Sequence, residues 1–108
     1  MKGLVCPKCQ LVMEAITQMG VELDQCVACN GVWMDQGEWT QMTRGRGKDA
    51  VTFSVVNCRP VPEFLCPRCK QEMEEGHHDS HADFAIDQCP KCRGCFLDRG
   101  ELFRLLAR

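Results

Sequence analysis

Cys6-Pro7-Lys8-Cys9, sixteen residues, then Cys26-Val27-Ala28-Cys29: this stretch decides how the chain folds. It recurs as Cys66-Pro67-Arg68-Cys69, nineteen residues, then Cys89-Pro90-Lys91-Cys92. Paired Cys-x-x-Cys motifs at this separation suit a tetrahedral zinc site with four thiolate ligands. Each pair makes a tight turn that presents two thiolates, and the residues between can run out and back as a hairpin. Eight of the ten cysteines are absorbed this way. Two zinc ions per chain are therefore expected, one held by Cys6, Cys9, Cys26 and Cys29, the other by Cys66, Cys69, Cys89 and Cys92. Four protein thiolates leave no coordination position for water, so both sites read as structural and no catalytic residue is expected.

Size agrees with this reading. The chain has 108 residues, and each repeat spans about 40, near the length below which a hydrophobic core rarely suffices without metal or disulfides. Structural zinc supplies on the order of 10–16 kcal/mol of apparent binding free energy in small finger peptides. A disulfide scaffold would also use many cysteines. The regular two-residue spacing within pairs favours metal, and Met1-Lys2-Gly3-Leu4-Val5 carries no apolar stretch of signal-peptide length. A reducing cytoplasm is the expected compartment. No segment is long and apolar enough to span a membrane. A thioredoxin-like use of Cys-x-x-Cys would need a βαβ context that is not present.

The repeat continues beyond the cysteines. Asp24-Gln25-Cys26 returns as Asp87-Gln88-Cys89, and Gly31-Val32-Trp33-Met34-Asp35-Gln36-Gly37-Glu38 as Gly94-Cys95-Phe96-Leu97-Asp98-Arg99-Gly100-Glu101. The offset grows from 60 at the first knuckle to 63 at the second, so the second copy has three extra residues between its knuckles. Met13 to Gln18 and Val21 to Gln25 read as two strands about a Met19-Gly20 turn. In the second copy Met73, Phe84 and Ile86 match the apolar positions, and the extra length falls in a polar loop tip, Gly76 to Asp83. Gly31 and Gly94 are expected to allow the close backbone approach a knuckle needs. A short strand follows, carrying Trp33 or Phe96. Asp35 with Glu38, and Asp98 with Glu101, form a capping-box-like helix start. Trp39 and Met42 share one face of the first helix; Leu102, Leu105 and Leu106 share one side of the second.

The expected architecture is a small, metal-stabilised, β-rich protein. It contains two tandem zinc ribbons, antiparallel hairpins with zinc knuckles, each followed by a short helix. The first ribbon spans 1–43, a linker 44–63, and the second ribbon 64–108. Within the linker, Arg44, Arg46 and Lys48 form a flexible basic run, Val51 to Val56 alternates like a strand, and Arg59 to Pro62 is extended.

These residues resemble the bacterial zinc-ribbon family of the transcription-factor-IIB type. The shared pattern is Cys-Pro-x-Cys, a strand like Gly20-Val21-Glu22-Leu23-Asp24, then Cys-x-x-Cys-x-Gly-Val-Trp-x-Asp-x-Gly-Glu. Val5 to Trp39 fits nearly end to end, and Leu65 to Leu102 fits apart from its longer hairpin. The resemblance implies two knuckles and a small antiparallel sheet around one zinc per unit, and its name implies transcription. Gln10, Asn30, Lys70 and Arg93 stand where the family often has glycine.

Other residues have a bland reading beside the sharper one. Cys95 aligns with Val32 and reads as a small apolar strand residue; Cys58 has no counterpart. Either could be a reactive thiol. His77, His78 and His81 could bind a second metal, or form a solvated hairpin tip. Trp33 and Phe96 could stack on nucleobases, or pack a tiny core beside the zinc. The formal charge is −2; eight thiolates and two zinc ions bring it to about −6, which disfavours non-specific nucleic-acid binding. The expectation is a non-enzymatic adaptor or regulator with a protein partner, in the transcription machinery if the resemblance holds for function. Direct nucleic-acid binding and a redox- or zinc-responsive thiol switch are the alternatives, and the oligomeric state is left open.

Overall fold

A computed structural model describes residues 3–18, 20–43, 55–78 and 81–106. The element order is β1 (Glu14–Gln18), β2 (Val21–Gln25), β3 (Val32–Met34), α1 (Glu38–Thr43), β4 (Val55–Leu65), β5 (Glu72–His78), β6 (His81–Gln88), β7 (Cys95–Leu97) and α2 (Glu101–Leu106). The strands form one antiparallel sheet in the order β1-β2-β3-β7-β6-β5-β4. The two repeats are therefore joined edge to edge through β3 and β7, related by a pseudo-twofold between them. Among the described residues no helix is long and apolar enough to cross a membrane.

Alternation along the two central strands builds two layers. Trp33 stands directly opposite Phe96, and both are fully buried. They share one face with Met13, Met73 and the inner cysteines of both knuckle pairs. Val32, Met34, Cys95 and Leu97 point to the other face, where Leu23, Ile86, Trp39 and Leu102 close over them. Trp39 from α1 and Leu102 from α2 thus anchor the two helices on a core that both repeats share. A helix of six residues is unstable alone in water, and this docking is what holds it. The side chains of Met42, Leu105 and Leu106 lie outside the described residues.

The first hairpin has the register expected of it, with Gln18 opposite Val21 and Gly20 at φ 81° in the turn. Met19 lies outside the described residues. The second hairpin does not end in a long polar loop. Its strands stay paired out to His78 and His81, with a bulge at His77/His78, so the extra residues lengthen the ribbon. Glycine and histidine suggest a solvated tip, yet Val55, Val56 and Cys58 of the neighbouring strand crowd Gly76, and His78 is buried.

Linker residues 55–63 belong to β4, which continues to Leu65 and pairs with β5 on the sheet edge. Asn57 takes a left-handed backbone (φ 59°), and the register shifts twice along the strand. Pro60 and Pro62 are tolerated because an edge strand need not donate outward. Residues 51–54 and the basic run Arg44, Arg46 and Lys48 lie outside the described residues.

Candidate metal centre

Four knuckles repeat one backbone design. Cys6 N–H donates to Leu11 O (2.8 Å) and Gln10 N–H to Cys6 O (3.0 Å). The same two bonds recur at Cys26 with Gly31 and Asn30, at Cys66 with Gln71 and Lys70, and at Cys89 with Gly94 and Arg93. Closing the turn puts its fifth residue in the left-handed region: Gln10, Asn30, Lys70 and Arg93 have φ between 61° and 66°. This is the backbone conformation that glycine adopts at least cost. Inside each turn, backbone amides aim at the first sulfur. Lys8 and Cys9 N–H point at Cys6 Sγ (3.4 Å each), and Arg68 and Cys69 N–H at Cys66 Sγ (3.4 and 3.3 Å). Such donors favour thiolate over thiol.

The eight predicted ligands come together as two clusters, Cys6/Cys9/Cys26/Cys29 and Cys66/Cys69/Cys89/Cys92, with all sulfurs in each within 4.8 Å of one another. A tetrahedron with zinc–sulfur bonds of about 2.3 Å has edges of about 3.8 Å. Cys6 and Cys29 Sγ lie 3.9 Å apart, and Cys66 and Cys92 Sγ 3.7 Å. Electrostatics fit the same ion. Burial pushes the thiols of Cys6 and Cys92 up to about 12. At Cys26 burial also acts upward, but the amides of Cys29 and Ala28 and the neighbouring sulfurs outweigh it and bring the thiol down to about 7. In the second cluster burial likewise acts upward on Cys89, and the amides of Cys92 and Lys91 with the neighbouring sulfurs outweigh it and bring that thiol down. Both clusters are structural zinc sites, and in each the first cysteine of a pair is buried while the second is half-buried.

The Asp-x-Gly-Glu segments do more than start helices. Glu38 Oε1 accepts from Asp35 N–H (2.7 Å), and Glu101 Oε1 from Asp98 N–H (2.9 Å), which is the glutamate half of a capping box. The aspartate side chains instead cross to the other repeat. Arg68 clasps both oxygens of Asp35, Nε on Oδ1 and Nη2 on Oδ2 (2.7 Å), while Trp33 Nε1–H also donates to Oδ1 (2.9 Å). Lys8 Nζ reaches Asp98 Oδ1 at 2.7 Å and Asp87 Oδ2 at 3.2 Å. The third residue of the first knuckle in each ribbon, Lys8 or Arg68, is thus the cation that binds an aspartate of the opposite ribbon. The only trace in the sequence was the opposite charge at these repeated places, and a helix start already accounted for the aspartates.

Glycine is required for the same reason on both sides. A Cβ on Gly31 would fall 2.2 Å from Cζ of Phe96, and one on Gly94 2.2 Å from Cζ2 of Trp33. The space these glycines leave is filled by the aromatic ring of the other repeat, not by the knuckle's own backbone.

The remaining candidates scatter. Among the described residues no third group of metal-binding side chains converges. A β-bulge separates His77 from His78. His77 contacts Asn57 Nδ2 through Nε2 (2.9 Å), His78 is buried, and the His81 side chain lies outside the described residues. Cys95 is buried with its thiol pushed up to about 12 by burial, and Gln88 Nε2 donates to it (3.6 Å). Cys58 is exposed on β4.

A search of curated proteins and one of solved structures returned no match. A family model described as transcription factor zinc-finger matches residues 5–44 and 65–108, one copy per ribbon and most of the chain in total. With two four-cysteine zinc sites built on that signature, the chain belongs to the transcription factor zinc-finger family, as two tandem copies.

Proposed function

We propose that this chain is a non-enzymatic adaptor or regulator that uses its ribbon surfaces to bind another protein, within a reducing compartment such as the cytoplasm. The observation that carries this reading is a group of aliphatic side chains left in water beside the first zinc site. Leu11, Val12 and Val27 are 45%, 60% and 55% exposed. Leu11 and Val12 follow the first knuckle directly and Val27 lies inside the second, so all three border one metal site. Exposed aliphatic groups on the two turns that hold one metal suit a protein contact. Direct nucleic-acid binding has less support. Trp33, Trp39 and Phe96 are buried, Phe64 sits half-buried under Lys8 Nζ (5.2 Å from its centroid), and no described aromatic ring is exposed for base stacking.

Transcription is the setting that the family name suggests for the partner. Affinity capture on the zinc-loaded protein, with Leu11→Ser/Val12→Ser/Val27→Ser as control, tests both parts. A protein retained by the original chain and lost by the variant supports the adaptor, and a subunit of the transcription machinery would place it. Capture of nucleic acid alone, or equal capture by the variant, argues against it. One observation favours a second reading, the zinc- or redox-responsive switch: Cys9, Cys29, Cys69 and Cys92 are half-buried, so two ligand residues of each site keep contact with solvent. Zinc release at low oxidant concentration, before any loss of Cys58, would support it.

A further inference from the structure

The two ribbons differ most where the fold leaves the choice open. Three exposed positions on the knuckles of the first ribbon are neutral: Gln10, Ala28 and Asn30. Their counterparts in the second ribbon are Lys70, Lys91 and Arg93, also exposed. The backbone is the same at each, down to the left-handed φ of Gln10 and Lys70 (65° and 61°) and of Asn30 and Arg93 (62° and 66°).

The first ribbon therefore serves as an internal control. It builds the same turns and the same four-sulfur site without these cations, so neither the turn nor the charge of the metal site requires them. Unlike Lys8 and Arg68, none of the three is ion-paired with a described residue. Lys70 and Arg93 also occupy backbone where glycine is the low-cost residue, so long cationic side chains sit where the turn itself favours none. Each cation is the sequence neighbour of an outer zinc ligand, Cys69 or Cys92, and those sulfurs meet at one point. The same rim carries Leu65, 46% exposed and adjacent to Cys66, and the exposed Pro90.

We propose that this rim, formed by Lys70, Lys91 and Arg93 around the second zinc site, binds a short acidic segment of a partner protein. The inference rests on the adaptor reading and adds the chemistry of what is bound. Three cations beside an exposed leucine match carboxylates interspersed with an aliphatic side chain. A short segment touches only the rim. A long polyanion such as duplex nucleic acid would also meet the rest of a chain whose zinc-loaded charge is about −6. With no described aromatic exposed, single strands find no stacking platform.

The test is fluorescence anisotropy with a labelled peptide of alternating glutamates and leucines, titrated with the zinc-loaded full chain. The key variant transplants the first ribbon's residues: Lys70→Gln/Lys91→Ala/Arg93→Asn. Three exposed charge contacts together are worth roughly tenfold in affinity. The variant should therefore bind about tenfold more weakly or worse, and binding to the original chain should fall with added salt. The reverse transplant, Gln10→Lys/Ala28→Lys/Asn30→Arg, should raise the number of peptides bound per chain. If the triple variant does not retain two zinc ions, Lys91→Ala, away from the left-handed positions, carries the test and should weaken binding on its own. Equal peptide affinity in the variants overturns the inference, as does tighter salt-sensitive binding of an oligonucleotide than of the peptide. Repeating the affinity capture with the triple variant separates this claim from the adaptor reading. A partner held equally by the variant sinks the acidic rim and leaves the adaptor standing; a chain that captures no protein at all sinks both.

Discussion

Two ribbons with one metal-binding design meet water with different chemistry. Around the first zinc the exposed knuckle residues include Gln10, Leu11, Val12, Val27, Ala28 and Asn30; around the second they include Lys70, Lys91 and Arg93. Buried positions follow the opposite rule. Trp33 answers Phe96, Leu23 answers Ile86, Met13 answers Met73, and every one is inside. A repeat is held to its pattern where zinc and the shared core judge each side chain, and is free where only a partner does. The difference between the ribbons therefore points to their surfaces as the place of function, and their likeness to a common scaffold.

That scaffold is one object more than two. Each ribbon leaves a glycine-lined space for the other's ring, and each lends a knuckle cation to the other's aspartate. Truncating either ring should produce the largest effect outside the zinc ligands. Trp33→Ala and Phe96→Ala should each cost about 3–5 kcal/mol. Chemical denaturation is the check, and near-equal losses are expected because the rings are symmetry counterparts. A loss confined to the ribbon that carries the substitution would break the likeness.

The clasps should be unequal. Lys8 faces Asp87, whose side chain is only 4% exposed, as well as Asp98; Arg68 faces Asp35, which is 31% exposed. Burial raises the Asp87 carboxyl and Lys8 opposes that rise, so removing Lys8 strands a buried carboxylate. Lys8→Ala should destabilise by about 2–3 kcal/mol, below the full buried-pair value because Lys8 keeps some contact with solvent. Arg68→Ala should cost about 1 kcal/mol. Thermal melts of the two variants side by side would reveal a reversed order, which would contradict the geometry.

The smallest effect concerns pH. Burial holds the Glu101 carboxyl up at about 7, from an ordinary value of 4.5. The folded state then binds this proton more tightly than the unfolded chain. Glu101 thus contributes stability below pH ~4.5 that is lost as pH rises to ~7. Glu101→Gln keeps an oxygen for the Asp98 amide and removes the titration. Its melting temperature should exceed the original's at pH 8, and the gap should close toward pH 5. A gap that does not change with pH would remove the titration as its cause.

Much of this was legible in the sequence. The eight zinc ligands follow from spacing alone, because a metal demands two thiolates per turn and two turns per ion. The first hairpin follows from alternation about Met19-Gly20. The pairing of β3 with β7 could not be read, since nothing in the spacing of one repeat says which edge meets the other. It depends on the fit of Phe96 over Gly31 and Trp33 over Gly94, which exists only in three dimensions. The Lys8 and Arg68 clasps were hidden because Asp35 and Asp98 already had a local use at a helix start. The polar composition of Gly76 to Asp83 suggested a loop, because the close approach of Val55, Val56 and Cys58 to Gly76 and the burial of His78 leave no signal in the local sequence.

The most direct test of the central claim, that the two zinc sites stand on one shared core, is the zinc content and unfolding of two single-ligand variants. Cys26→Ser and Cys89→Ser should each disable one site. The inner cysteines of both sites pack in the same cluster as Trp33 and Phe96, so losing one ion should loosen the other. Each variant should surrender its remaining zinc to a chelator far faster than the original chain, and should melt in one broadened transition at lower temperature. One tightly held zinc per variant, released at the original rate beside an independently folded ribbon, would show two separate modules and contradict the account.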